Sequence, residues 1–353
     1  MARRISVSGM ARPLEDRSAG VSMRLSSRRV ALALALLCAA ALAAALCSGP
    51  VWFSPVRVAQ IAAGGGEAWE RAVILDLRLP RVLVAALVGW ALATSGTALQ
   101  ALFKNPLADP GVLGVSAGAG LGAVLAIATG LAAASASVLP LSAAVGAAIT
   151  AVLLVVIASS AAERTLSLLV LGVALSSLLS SMTAIVVALS LADYLVTQQL
   201  VYWLMGGLEA RTWDHVLGGL GPVLVASVFL FSRARELDGL SLGELEASVL
   251  GVDVRRARLE LVLATAVLVG TSVAVAGSVA FVGLLVPHAV RLVVGARHAA
   301  LVPASGLAGA LFVVLADLAA RTALAPRELP VGVVTALLGA PALFALARAR
   351  SRA

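Results

Sequence analysis

Charge is what this chain has least of. Only 12% of its 353 residues are Asp, Glu, Lys or Arg, about half the share usual in soluble domains. With 61% hydrophobic residues and a mean hydropathy of +1.04, that scarcity excludes a water-soluble globular protein and leaves a polytopic membrane protein. Lysine is nearly missing, Lys104 being the only one among 26 basic residues. A phosphate-binding P-loop needs G-x-x-x-x-G-K-[ST]. Lys104 is followed by Asn105 and has no Gly six residues before it. The sequence therefore carries no visible nucleotide site, and ATP-driven work would need another chain to bind the ATP. Cysteine is scarce too. Cys38 and Cys47 are nine residues apart on opposite faces of one predicted helix, so they cannot bond to each other and read as apolar filler. Three scattered histidines make no metal site, and no cofactor is expected.

What basic charge there is comes as arginine, and it sits mostly beside apolar runs, which is how topology signals are distributed rather than nucleic-acid surfaces. Residues 1–29 hold seven Arg without sustained apolar periodicity and read as a cytoplasmic tail. Residues 30–348 read as one transmembrane domain and 349–353 as a second short tail. The expected fold class is all-α with ten transmembrane helices: 30–48, one that begins at LRLPR (77–81) with Pro80 in its first turn and runs to about 103, 111–132, 140–163, 166–190, 213–231, 259–276, 278–294, 301–324 and 330–346. Residues 49–77 are expected to form a loop with short surface helices. Leu195 to Leu208 is too short to span and suits a surface or re-entrant helix. With both termini inside, 19 of the basic residues fall on the inner side and 7 on the outer, as the positive-inside rule requires.

The stretch Gln100 to Gly122 breaks two apolar runs with a polar turn, stopped by Asn105, Pro106, Asp109 and Pro110. It is expected at the membrane surface, feeding a helix whose Gly114, Gly118 and Gly122 share one face for close packing. Gly114-Val-Ser-Ala-Gly118 also matches the G-x-S-x-G nucleophile elbow, but that motif needs a preceding strand and a positioned His, so packing is the favoured reading over an intramembrane hydrolase. Asp317 lies within an apolar helix with Arg321 one turn on. A structural ion pair between them is favoured over a proton-relay carboxylate, which a proton-coupled secondary transporter would need. Ser176, Ser177, Ser180, Ser181 and Thr183 cluster on one side of the fifth span and serve either interhelical packing or a wet pathway. The inner segment at about 241–251 reads as a short amphipathic helix ended by Gly251, lying on the membrane or docking a soluble partner.

Together, LRLPR (77–81), Gly96 to Gln100, KNPLADPGVLGVSAGA (104–119), LGELEASVLGV (242–252), GSVAFVGLLVPHAVRL (277–292) and ADLAARTALAPRELPVGVVTALLGAP (316–341) resemble the permease subunit of type II ABC importers. That group takes up ferric siderophores, haem and cobalamin. The resemblance runs from the second to the tenth span in the family's order. It implies a homodimer with the pathway on its two-fold axis, two cytoplasmic ATPase subunits and an external substrate-binding protein, in a bacterial plasma membrane with both termini cytoplasmic. It implies an inner gate at Asn105 and Leu107 and a pathway lined by the hydroxyls of the fifth span. The ATPase would couple through Leu242, Gly243, Glu244, Leu245, Ala247, Leu250 and Gly251. Arg78, Arg81 and Arg321 match positions that meet acidic residues of the binding protein. The expected function is import of an iron chelate, with cobalamin as the alternative cargo and no ATPase site on this chain.

Overall fold

The computed structural model describes residues 27–135, 137–160 and 165–350; most of the expected N-terminal tail, the inner loop at Glu163 and Arg164, and the last three residues lie outside the described residues. Every regular element among the described residues is helical. In chain order these are α1 (Ser27–Cys47), α2 (Pro55–Ala62), α3 (Ala68–Arg71), α4 (Leu79–Leu102), α5 (Val115–Ala128), α6 (Val138–Ser160), α7 (Thr165–Leu189) and α8 (Tyr194–Leu204). They continue as α9 (Trp213–Ser232), α10 (Ala234–Leu242), α11 (Glu244–Val249), α12 (Val254–Ala276), α13 (Val282–Val294), α14 (His298–Thr322) and α15 (Val331–Arg350). Seven stretches are long and apolar enough to cross a membrane, and α5, α13 and residues 331–344 are shorter apolar helices, which fills the ten expected places.

α4 is the axis of the bundle. Val84, Val88, Ala91, Ala98 and Leu99 are all fully buried, because α14, α12, α13 and α9 surround it. Its closest neighbour is α14, and small residues set that distance: a Cβ on Gly89 would collide with the Gly309 carbonyl, and a Cβ on Gly309 with that of Gly89. The same device joins α5 to α6, where Gly118 and Gly122 face Gly146 as the glycine spacing predicts, whereas Gly114 lies before the helix and faces Gly172 and Ser176 of α7.

The structure departs from the sequence expectations in three places. α4 does not begin in a loop at Pro80: it continues α3 through a π-helical segment, Ala72–Arg78. The wide turn ends where the proline would otherwise face a carbonyl it cannot satisfy. The helix expected from Gly111 begins only at Val115, after a 3-10 turn over Pro110–Leu113 and a left-handed Gly114. The helix expected from Ser278 begins at Val282, so residues 277–281 are non-helical, with positive φ at Gly277 and a left-handed Phe281. These two non-helical stretches meet inside the bundle. A Cβ on Gly283 would lie 2.5 Å from the Pro110 ring and 2.8 Å from the carbonyl of Leu92, which is midway along α4. The stretch that follows the polar turn therefore packs at the level of the middle of α4, and irregular backbone is tolerated there because protein covers it.

Candidate gate, coupling and docking sites

At the C-terminal end of α4 the chain turns sharply. Lys104 adopts a left-handed backbone, and the Asn105 side-chain oxygen accepts from the Leu107 N–H at 2.9 Å, closing a tight Asx turn. Asp109 repeats the device one step on, accepting from Gly111 N–H at 2.7 Å. Leu107 is 41% exposed although apolar, and Asn105 is exposed beside it. The turn thus presents a leucine held by local hydrogen bonds on a short frame with two prolines. Behind it, Gln100 Nε2 donates to the Leu284 carbonyl of α13 at 3.0 Å, which locks the end of α4 to its neighbour.

The segment expected to couple to an ATPase is built from two helices. α10 ends at Leu242, Gly243 takes an extended positive-φ conformation, and α11 covers only Glu244–Val249 before Gly251 turns the chain back. Ala247 is fully buried and rests near Gly239, which pins α11 against α10. Glu244 accepts from Arg258 at 2.7 Å, tying α11 to α12. The apolar side chains face away from all this: Leu242 and Leu250 are about two-thirds exposed, Leu245 80% and Val249 86%.

The face of α7 that carries the hydroxyls is open. Ser177, Ser180 and Ser181 are exposed, and Ser176 and Thr183 half-buried. Ser177, Ser181 and Thr183 each donate to the carbonyl four residues earlier, at 2.9 to 3.0 Å, so their donors are already engaged and their lone pairs remain. Leu178, Met182 and Ile185 share the exposed surface, which is therefore mixed rather than wet throughout. Beyond it, α8 borders a cavity of about 670 Å³ lined by Gln198, Gln199, Tyr202, Glu209 and Arg211 among others. Burial raises the Glu209 carboxyl above its ordinary range and lowers the Arg211 guanidinium, and Glu209 Oε1 has no partner among the described residues.

Of the three arginines expected to meet a binding protein, two are buried. Arg78 is 6% exposed and donates to the carbonyls of Leu46, Cys47 and Val51, while Arg321, 4% exposed, donates to that of Ala45. Both therefore cap the last turn of α1, whose orphan carbonyls and negative dipole end attract cations. The burial follows from that role. Arg81 pairs with Asp317 at 2.8 Å and with Glu328 at 2.8 Å. Asp317 does lie near Arg321, but at 3.7 Å, so its principal partner is Arg81 from α4 rather than its own helix neighbour. Spacing along one helix reveals the i,i+4 contact and hides the contact between helices. The sequence reading also missed Glu328, Glu209 and Asp238. The last is the nearest partner of His298, and no local motif joins residues 60 apart.

Ser116, the centre of the G-x-S-x-G match, sits in the first turn of α5 after the 3-10 turn rather than after a strand, so the elbow geometry is not built. Cys38 and Cys47 are buried and free.

Comparison with known proteins agrees with this geometry. Residues 32–349 match the FecCD transport family. The chain is 43% identical over 296 residues to a vitamin B12 import system permease of Vibrio cholerae, covering 83% of this chain and 86% of that one. It is 39% identical over 273 residues to a hemin transport system permease of Yersinia pestis, covering 76% and 80%. A metal-chelate type ABC transporter solved in an inward-facing conformation superimposes with a TM-score of 0.80 at 32% identity, covering 92% of this chain and 99% of that one. With its all-helical membrane bundle, this chain belongs to the FecCD transport family and is an ABC importer permease.

Proposed function

We propose that two copies of this permease form a pathway that imports an iron chelate, a ferric siderophore or haem, across a bacterial plasma membrane. ATP is hydrolysed by cytoplasmic partner subunits, and both termini of the permease face the cytoplasm. The observation that carries the energy source is the apolar face of α11: Leu245 and Val249 are 80% and 86% exposed on a segment fixed from behind by Ala247 and Arg258. Such a face needs a protein partner, and an ATPase with an apolar groove supplies it. The α7 hydroxyls line the pathway between the copies, and Leu107 with Asn105 closes its inner mouth.

An acidic substrate-binding protein docks at the outer end through Arg81, whose partner Glu328 lies on the accessible 323–330 segment; Arg78 and Arg321 hold that site from behind through α1. A carboxylate from the binding protein exchanges with Glu328, so association weakens with salt. The iron-chelate cargo is supported by the likeness to the hemin permease and to the metal-chelate type transporter. Cobalamin is the second cargo, favoured by the 43% identity to the vitamin B12 permease. Proton coupling through Asp317 is disfavoured because Arg81 holds that carboxylate as an ion pair.

The deciding experiment reconstitutes the permease in vesicles with its ATPase and binding protein. Uptake of ferric siderophore, haem and cyanocobalamin is measured with ATP, and separately with a pH gradient and no nucleotide. ATP-dependent uptake of a ferric chelate supports the proposal. Uptake of cyanocobalamin alone reassigns the cargo, and uptake driven by the pH gradient alone overturns the ATP mechanism.

A further inference from the structure

α14 begins without a cap of its own. Arg297 precedes it and offers no side-chain acceptor, so the first N–H groups of a 25-residue helix need a partner from elsewhere. α10 supplies it. Asp238 Oδ1 accepts from the backbone N–H of His298 at 2.8 Å and from the His298 ring at Nδ1 at 2.7 Å. A carboxylate only accepts, so Nδ1 carries the proton. Nε2 is buried without a hydrogen-bond partner among the described residues, and a second ring proton would be stranded there. The ring is fully buried while the Asp238 side chain is 40% exposed, so the bond sits at the inner rim of the bundle. A negative group at a helix N-terminus is stabilising, which makes this contact between helices stronger than a neutral one.

Two neighbours give the contact a direction. Asp238 lies one turn before Leu242, where α10 passes through Gly243 alone into α11, so α10 is the stem of the exposed coupling segment. On the other side, α14 is bound to α4 twice: at its middle by the mutual Gly89 and Gly309 contact, and at its outer end by the Asp317–Arg81 pair. Helices joined at two separated points move as one body, and α4 leads directly into the turn at Asn105 and Leu107.

We infer that Asp238 and His298 are positioning residues that transmit displacement of the coupling segment to the α14–α4 pair, and so to the inner turn, resting on the coupling role proposed for 242–251. A static cap would stabilise the helix and do nothing else. A transmitting joint determines how much transport each hydrolysed ATP yields.

The test uses the complete complex in vesicles and reads three quantities: affinity for the ATPase subunits, ATP hydrolysis, and cargo imported per ATP hydrolysed. Asp238→Ala removes both bonds. It is expected to leave ATPase affinity within about threefold while import per ATP falls about tenfold, inside the range of coupling losses that single residues cause. Asp238→Asn keeps an acceptor oxygen for both donors and is expected to restore import per ATP to within about twofold of wild type. If Asp238→Ala does not fold, His298→Ala decides the question. It keeps the backbone cap and loses the ring bond, so import per ATP is expected to fall severalfold, with recovery in His298→Asn, whose amide nitrogen can take the place of Nδ1. Unchanged import per ATP in a folded variant overturns the inference. So does a loss that merely tracks weakened ATPase binding. Failure of the underlying coupling role looks different: Leu245→Asp would then leave ATPase binding intact.

Discussion

Replacing Leu245 offers the sharpest separation of docking from folding. The side chain is 80% exposed on α11, so the free chain gains little from it, and truncation to Ala should change stability by no more than about 0.5 kcal/mol. Nearly the whole leucine is available to be buried by a partner. Burying it fully is worth about 1.5–3 kcal/mol, and every 1.4 kcal/mol is a factor of ten in affinity. Leu245→Ala loses most of that and should weaken ATPase binding by roughly 10- to 100-fold. Leu245→Asp should weaken it further, because a carboxylate would be taken into an apolar groove without a partner. The assay is binding of the isolated ATPase subunit to permease in nanodiscs, with thermal unfolding of the permease alone as control. Equal affinity for wild type and Leu245→Asp, with both permeases folded, would refute the assignment of this face. A fall in affinity matched by a fall in unfolding temperature would refute the claim that α11 contributes to docking rather than to the fold.

Other outcomes follow from the packing and electrostatics. Gly309→Ala drives a methyl group into the Gly89 backbone and should cost about 1–3 kcal/mol, whereas Gly221→Ala, in open space on α9, should be neutral or stabilising; thermal melts in detergent compare the two. Glu209 has a raised carboxyl pKa from burial, so the folded chain holds its proton to higher pH than the unfolded chain does, and stability falls as pH rises between the two values. Glu209→Gln should flatten that fall in melts run across pH and be neutral or stabilising above it. A cysteine at position 107 should cross-link to its twin in one nucleotide state and not in another, since a turn braced by Pro106 and Pro110 is carried by its helices. Equal cross-linking in every state would make the turn a fixed corner.

The sequence made the ten membrane segments legible because apolar length is a property of composition, and the structure has an apolar helix at each. It could not show where two of them lose helical backbone. Residues 277–281 read Gly-Ser-Val-Ala-Phe, as apolar as a helix, and only the left-handed conformations at Gly277 and Phe281 distinguish them. The turn at Asn105 was readable from its prolines, but its return to the level of Leu92 depends on Gly283, far away in sequence. The arginines show the same limit. Charge statistics assign Arg78 and Arg321 to a side of the membrane and say nothing of depth, which the carbonyls of α1 decide. The exposed leucines of 242–251 are the most legible part of the candidate sites, because an amphipathic pattern and a glycine stop are both local.

The meeting of Pro110 with Gly283 has a consequence for how the chain is made. Residues 108–114 emerge from the ribosome long before residues 277–283 exist, yet their irregular backbone is less fully paired than a helix and faces lipid at a penalty. Until the later segment arrives, the first half of the protein has a polar gap in its wall. A chain halted before Gly277 would lack the segment that covers this stretch, so the packing of the first half is completed only by the eighth span.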